Sequence, residues 1–158
     1  MNQITNYDAL LIPSDGRPPH LVQLMTSPMI ATSHPGQQVL NQSRVPHPEV
    51  YMDYIAEGPH GHRFWRYHLI EALDGMNRKF AQPYIVFYPV LSKDGMPFPV
   101  NQCVREIQGR NYRESLAWRG NIVIGKYRGE DPFSSMVNAA MSDFPLIKNY
   151  LTTHGCPG

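Results

Sequence analysis

From Val50 onward the chain grows denser in aromatic and apolar positions, and its clearest patterns lie there. Residues 84–91 open as Tyr84-Ile85-Val86-Phe87-Tyr88, a β-branched and aromatic run that predicts a strand. Asp94-Gly95 then supplies a turn, and residues 98–107 are predicted to return as a second strand. Pro89, Pro97 and Pro99 place this pair at an edge or at bulges, since proline has no N–H for a central ladder. Residues 121–127, entered through Trp118-Arg119-Gly120, read as a third strand, and residues 50–56, closed by Gly58 and Pro59, as a fourth.

Helical spacing is read in two places. Trp65, Leu69, Ala72, Leu73 and Met76 recur at three and four residues, with Gly75 as a stop, and predict a short helix over 64–73. The same stretch also sets Trp65, Tyr67 and Leu69 on one face of a strand. Farther on, Asp131 is a helix cap, Pro132 suits a first helical position, and Phe133, Met136, Val137, Ala140, Met141 and Phe144 form a stripe. This predicts a helix over 132–144 with Phe133, Met136, Val137, Ala140 and Phe144 buried. Pro145 should break it before a second amphipathic turn made by Leu146, Ile147, Tyr150 and Leu151.

Residues 1–48 look different, being polar and interrupted by Pro13, Pro18, Pro19, Pro28, Pro35, Pro46 and Pro48, with only Leu21 to Met25 resembling an element. The expected organisation is an irregular, proline-rich segment over 1–48 draped on a single α+β domain over 49–158, whose small antiparallel sheet is packed by C-terminal helices.

Composition agrees with one domain. The 158 residues can enclose a single core, and charged residues, at 17%, give way to 15 prolines and 12 glycines. The first residues have no basic region followed by an apolar run, so no secretory signal is expected, and no stretch reaches the eighteen or so apolar residues of a membrane span. Cys103 and Cys156 are far apart and in no metal-type pair, which argues against a disulfide framework and predicts a cytoplasmic or nuclear setting.

Charge changes this picture most. In residues 1–62, Arg17 and Arg44 meet Asp8, Asp15, Glu49, Asp53 and Glu57, a net of −3. Residues 63–128 hold 11 Lys and Arg against 5 acids, a net of +6, and in 129–158 Lys148 meets Glu130, Asp131 and Asp143, a net of −2. A basic middle between mildly acidic ends suits an anionic partner.

Within that middle, Arg63-Phe64-Trp65-Arg66-Tyr67-His68 interleaves guanidinium groups with aromatic rings. Such residues can grip an acidic protein surface, where Tyr, Trp and Arg are enriched, or neutralise phosphates while stacking on unpaired bases. The expected function is therefore a non-catalytic binding module, with Arg63, Trp65, Arg66, Tyr67 and Arg119 as binding residues. A second reading, a small histidine-dependent enzyme, rests on His47, His60, His62 and His68 falling close together. His60 and His62, two residues apart, are then metal ligands with His68 joining the site, or His68 with Asp53 is an acid/base pair. No Gly-x-Ser-x-Gly elbow or phosphate-binding loop is present, and no motif designates a cofactor. Cys103 falls in a predicted strand, as a small core residue.

Two segments carry a resemblance. Residues 115–127, beginning Ser115-Leu116-Ala117-Trp118-Arg119, and residues 131–151, beginning Asp131-Pro132-Phe133, resemble the C-terminal part of small uncharacterised proteins of mushroom-forming fungi. The resemblance implies an intracellular eukaryotic setting and no activity.

Overall fold

A computed structural model describes residues 3–34, 37–58 and 63–157, the side chains of 30–42 excepted. The polypeptide forms a curled antiparallel sheet with two helices on one face. Its strands are β1 (Thr5–Ile12), β2 (His20–His34), β3 (Gln37–Pro46), β4 (Trp65–Ile70), β5 (Tyr84–Pro89) and β6 (Ile122–Tyr127), in the order β3-β2-β1-β6-β5-β4, and the short β7 (Met136–Val137) pairs with β6. The helices are α1 (Gln102–Gln108) and α2 (Phe144–Thr153). No helix among the described residues is long and apolar enough to cross a membrane.

The first correction concerns residues 1–48, which build half the sheet instead of draping over it. Four of their prolines are placed clear of a regular ladder: Pro13 follows β1, Pro18 and Pro19 precede β2, and Pro28 adjoins a register shift between β2 and β3. Polar residues are frequent in β2 and β3, which lie toward one rim of the sheet, whereas β1, β5 and β6 are central.

In the central strands both faces are buried, and this is why they read as continuous apolar runs instead of alternating ones. Leu10, Ile12, Val86, Tyr88, Ile122 and Ile124 point to the helix side, where Val104, Trp118, Ile147, Tyr150 and Leu151 meet them. Their neighbours Ala9, Leu11, Ile85, Phe87 and Val123 point the other way, beneath Met52, Ile55 and Phe98 from loops and Met136 from β7.

Four further expectations are corrected. Residues 50–56 form no strand but follow a 3₁₀ turn, Pro48–Tyr51, with isolated bridges at Ile55 and Glu57. Residues 64–73 hold β4, not a helix, so the strand alternation of Trp65, Tyr67 and Leu69 is the one realised. Residues 98–107 return as α1, because the Asn101 side chain accepts the Val104 N–H at 3.1 Å and caps a helix; Cys103 is therefore helical. Residues 132–144 are not helical as a unit. Asp131 does cap, accepting the Phe133 N–H at 3.0 Å, but only over the 3₁₀ turn Pro132–Ser134 before β7 begins. Of the predicted stripe, Met136 is buried, Phe133, Val137 and Phe144 are half-buried, and Ala140 is exposed. Pro145 sits in the first turn of α2 and opens that helix instead of ending one.

Buried polar ties fasten the helices. Asn101 is fully buried and donates to the Ile12 and Gly120 carbonyls at 3.0 and 2.9 Å. Asp143 accepts the Tyr84 hydroxyl at 2.7 Å, the Lys126 ammonium at 2.9 Å and the Ala140 N–H at 2.7 Å, joining the start of α2 to β5 and β6. Burial opposes the Asp143 charge, but Tyr84, Lys126 and Ala140 outweigh it and hold the carboxyl below its usual range. Burial, then Asp143, pushes the Tyr84 phenol well above its ordinary value.

Candidate functional site

Four of the residues singled out by sequence, Trp65, Arg66, Tyr67 and His68, lie on β4, the last strand of the sheet. The Val90 N–H donates to the Phe64 carbonyl at 3.2 Å, and the register pairs Arg66 with Tyr88 and His68 with Val86. Alternation along an antiparallel pair then turns the N–H and C=O groups of Phe64, Arg66 and His68 toward β5 and those of Trp65, Tyr67 and Leu69 outward. Pro89, opposite Trp65, costs no bond to β4, because its nitrogen faces away from that strand.

Side chains divide between the two faces. Trp65 packs edge-on against Phe87 with centroids 5.3 Å apart and belongs largely to the core. Tyr67 touches Phe133 in the same way at 5.1 Å but remains 46% exposed. Arg66 projects on the helix side and is exposed. His68 bonds the Tyr150 hydroxyl through Nε2 at 2.9 Å. Burial, then the neighbouring His154, holds its pKa below the ordinary histidine value and keeps the ring neutral near pH 7.

The basic middle is dispersed by folding. Arg63 is bonded to Glu57 and lies 3.9 Å from Glu49, Lys79 pairs with Glu71 at 2.8 Å, and Lys126 belongs to Asp143. Arg105 lies over the Tyr112 ring, and Arg119 donates to the Phe98 carbonyl at 3.0 Å. Arg119 thus stands apart from β4, bordering a cleft of about 250 Å³ with Tyr88, Ser115 and Cys156.

The acid/base pair is not assembled in this fold. Asp53 lies on the segment that covers the loop side, bordering a cleft of about 220 Å³ with Ser14, Tyr54 and Asn121, while His68 faces Tyr150 on the helix side. His60 and His62 lie outside the described residues. Among those described, no cluster of three or more His, Cys, Asp or Glu side chains is placed to hold a metal ion.

Sequence reading missed a different constellation. The Ser27 hydroxyl lies 2.8 Å from His47 Nε2, and His47 Nδ1 lies 3.3 Å from Glu49 Oε1. Ser27 is on β2, His47 directly follows β3, and Glu49 is on the next 3₁₀ turn. Pro46-His47-Pro48-Glu49 is the local signal, because prolines on both sides stiffen the histidine backbone two residues before an acid. Ser27, brought alongside by β2–β3 pairing, leaves no such signal. The tail is also more ordered than its terminal position suggests. His154 C=O accepts Gln108 Nε2 and Trp118 Nε1, both at 3.0 Å, and Cys156 N–H donates to Leu116 at 2.8 Å. Gly155 is required there, as a Cβ would come within 2.6 Å of Leu116 Cβ. No protein-family model matches the chain, and no curated protein or solved structure matches it.

Proposed function

We propose that the protein is a binding module whose recognition surface is the outer edge of β4, and that it takes an extended acidic segment of another protein as an added strand. The observation that carries this reading is the terminal place of β4 in the sheet, with the backbone groups of Trp65, Tyr67 and Leu69 turned outward. Main-chain bonds give such a site affinity, and the side chains on either face give it selectivity. Here those side chains are the half-exposed Tyr67 ring and the exposed Arg66. Nucleic acid is the less favoured partner, because cations divided among Glu57, Glu71, Asp143 and a carbonyl do not track a phosphate backbone.

The test uses a labelled peptide alternating Glu with Val, and oligo(dT), against the full chain at low and high salt. The expected result is peptide binding that weakens with salt, falls in Arg66→Ala and is lost in Tyr67→Pro, which removes an outward N–H. Equal binding by a folded Tyr67→Pro, or none by the parent at low salt, refutes the reading. Preference for oligo(dT) assigns the edge to single-stranded nucleic acid.

A further inference from the structure

We infer that Ser27, His47 and Glu49 form a nucleophilic site that hydrolyses small carboxylic esters with good leaving groups. The order of contacts is the one a general base requires: the hydroxyl lies on Nε2 and the carboxylate on Nδ1 of the same imidazole, at 2.8 and 3.3 Å. The ring is held in place from its backbone. The buried Pro46 and Pro48 fix the chain on both sides, and the His47 N–H donates to Met25 at 2.8 Å, so little freedom remains to be lost when the base acts.

Burial grades across the three residues in the sense the chemistry needs. The Glu49 side chain is 12% exposed and that of His47 32%, so the acid is covered while the base and its serine stay within reach of a small molecule. Glu49 Oε2 is buried with no hydrogen-bond partner. A buried carboxylate oxygen left unpaired is costly, which is a reason to look for a role beyond packing. Here it adds negative potential beside the imidazole, whose charge rises during the reaction. Arg63 Nε lies 3.9 Å from the same Oε1 that meets His47.

In the acylation step Ser27 Oγ bonds to the ester carbonyl carbon as His47 Nε2 takes its proton. The tetrahedral adduct collapses, the carbon–oxygen bond to the leaving group breaks, and His47 returns the proton to the departing alkoxide or phenolate. Water, deprotonated by the same nitrogen, then attacks the acyl carbon; the carbon–Oγ bond to Ser27 breaks as His47 returns the proton to Oγ, releasing the carboxylic acid and restoring the serine. Glu49 is a positioning residue that steadies the imidazolium. The substrate class follows from the surroundings: Pro28 after Ser27, and Pro46 and Pro48 around His47, have no N–H to offer a developing oxyanion. Each such donor is worth about 10²–10³ in rate, so esters whose leaving group departs readily are within reach and amides are not.

The experiment treats the full chain with a fluorophosphonate, maps the adduct by mass spectrometry, and follows p-nitrophenyl acetate hydrolysis. Expected are an adduct on Ser27 and a fall in kcat/KM of about 10²-fold or more in Ser27→Ala and His47→Gln. In Ser27→Cys the thiol at position 27 should react with iodoacetamide faster than a surface thiol does. Glu49→Gln should lower kcat while leaving KM unchanged, a split that a purely structural role would not produce. An adduct elsewhere, or an unchanged rate in Ser27→Ala with its melt intact, overturns the assignment. If Ser27→Ala unfolds, the Ser27→Cys thiol decides, and its failure to react above the level of a free surface thiol is equally fatal.

Discussion

The sheet's two faces are closed by different means. On the helix side, α1 and α2 bring Val104, Ile147 and Leu151 down on the strands, and the polar groups buried with them, Asn101, Gln108 and Asp143, all have partners. On the other side the cover is made of 3₁₀ turns and loops, over 48–57 and 132–137. There a carboxylate oxygen stays unpaired at Glu49 and a non-glycine residue takes positive φ at Tyr54. Helices satisfy their own backbone and leave side chains free for close packing, whereas loop covers spend side chains on capping and leave titratable groups near solvent. Stability should therefore concentrate on the helix side.

The largest effect expected from this division is at Asp143. Its side chain and that of Lys126 are 9% and 17% exposed, and Asp143→Ala strands the ammonium and the Tyr84 hydroxyl together. A loss of about 3–5 kcal/mol is expected in urea denaturation. Asp53→Ala, exposed on the loop side, should stay within about 0.5 kcal/mol. Equal losses would mean that the two covers contribute alike, and the comparison would fail.

The same division explains what was legible in the chain. β5 and β6 are buried on both faces, so their runs of apolar residues announce strands whatever covers them. α1 was misread because Val100, Val104 and Ile107 alternate with polar residues loosely enough to suit either period, and Asn101, which decides, is a capping residue only once Ile12 and Gly120 supply acceptors. The stripe from Phe133 to Phe144 has helical spacing, yet Met136 and Val137 find a strand partner in β6, and pairing with β6 overrides the pattern. The Asp131 cap was correct as chemistry and wrong in extent. At the candidate sites, Arg66 and Tyr67 were readable as a basic and aromatic run. Ser27, twenty residues from His47, depended on a strand pairing among polar residues that leave little hydrophobic register to read.

Tyr54 sharpens the comparison on the loop side. Its φ is 61° and it is 76% exposed, so the residue bears the left-handed conformation while burying little. That conformation costs a non-glycine residue roughly 1–2 kcal/mol, and glycine gives back roughly 0.5–1 kcal/mol through the entropy of the unfolded chain. Tyr54→Gly should thus stabilise the fold by about 0.5–1 kcal/mol in urea midpoints. A loss instead would show that the ring packs against the cleft formed by Asp53, Phe98 and Asn121 and that the loop cover is tighter than its turns suggest.

The smallest effect belongs to His68, which sits where the helix side meets the sheet edge. Burial and the neighbouring His154 hold its folded pKa below the unfolded value of about 6.5. In the window between these two values the unfolded chain binds more protons, so stability rises with pH there. The contribution is fully present above about pH 6.5 and is lost as pH falls from that value toward the folded pKa. His68→Gln, which keeps an amide near the Tyr150 hydroxyl, should flatten the stability slope between pH 7 and 5 by no more than about half a kcal/mol, because solvent screens a partly open ring. An unchanged slope would make the β4 edge electrostatically independent of α2. A steeper slope would reverse the assigned sign, requiring that the His68 imidazolium be the form the fold prefers and that the Tyr150 hydroxyl accept its proton.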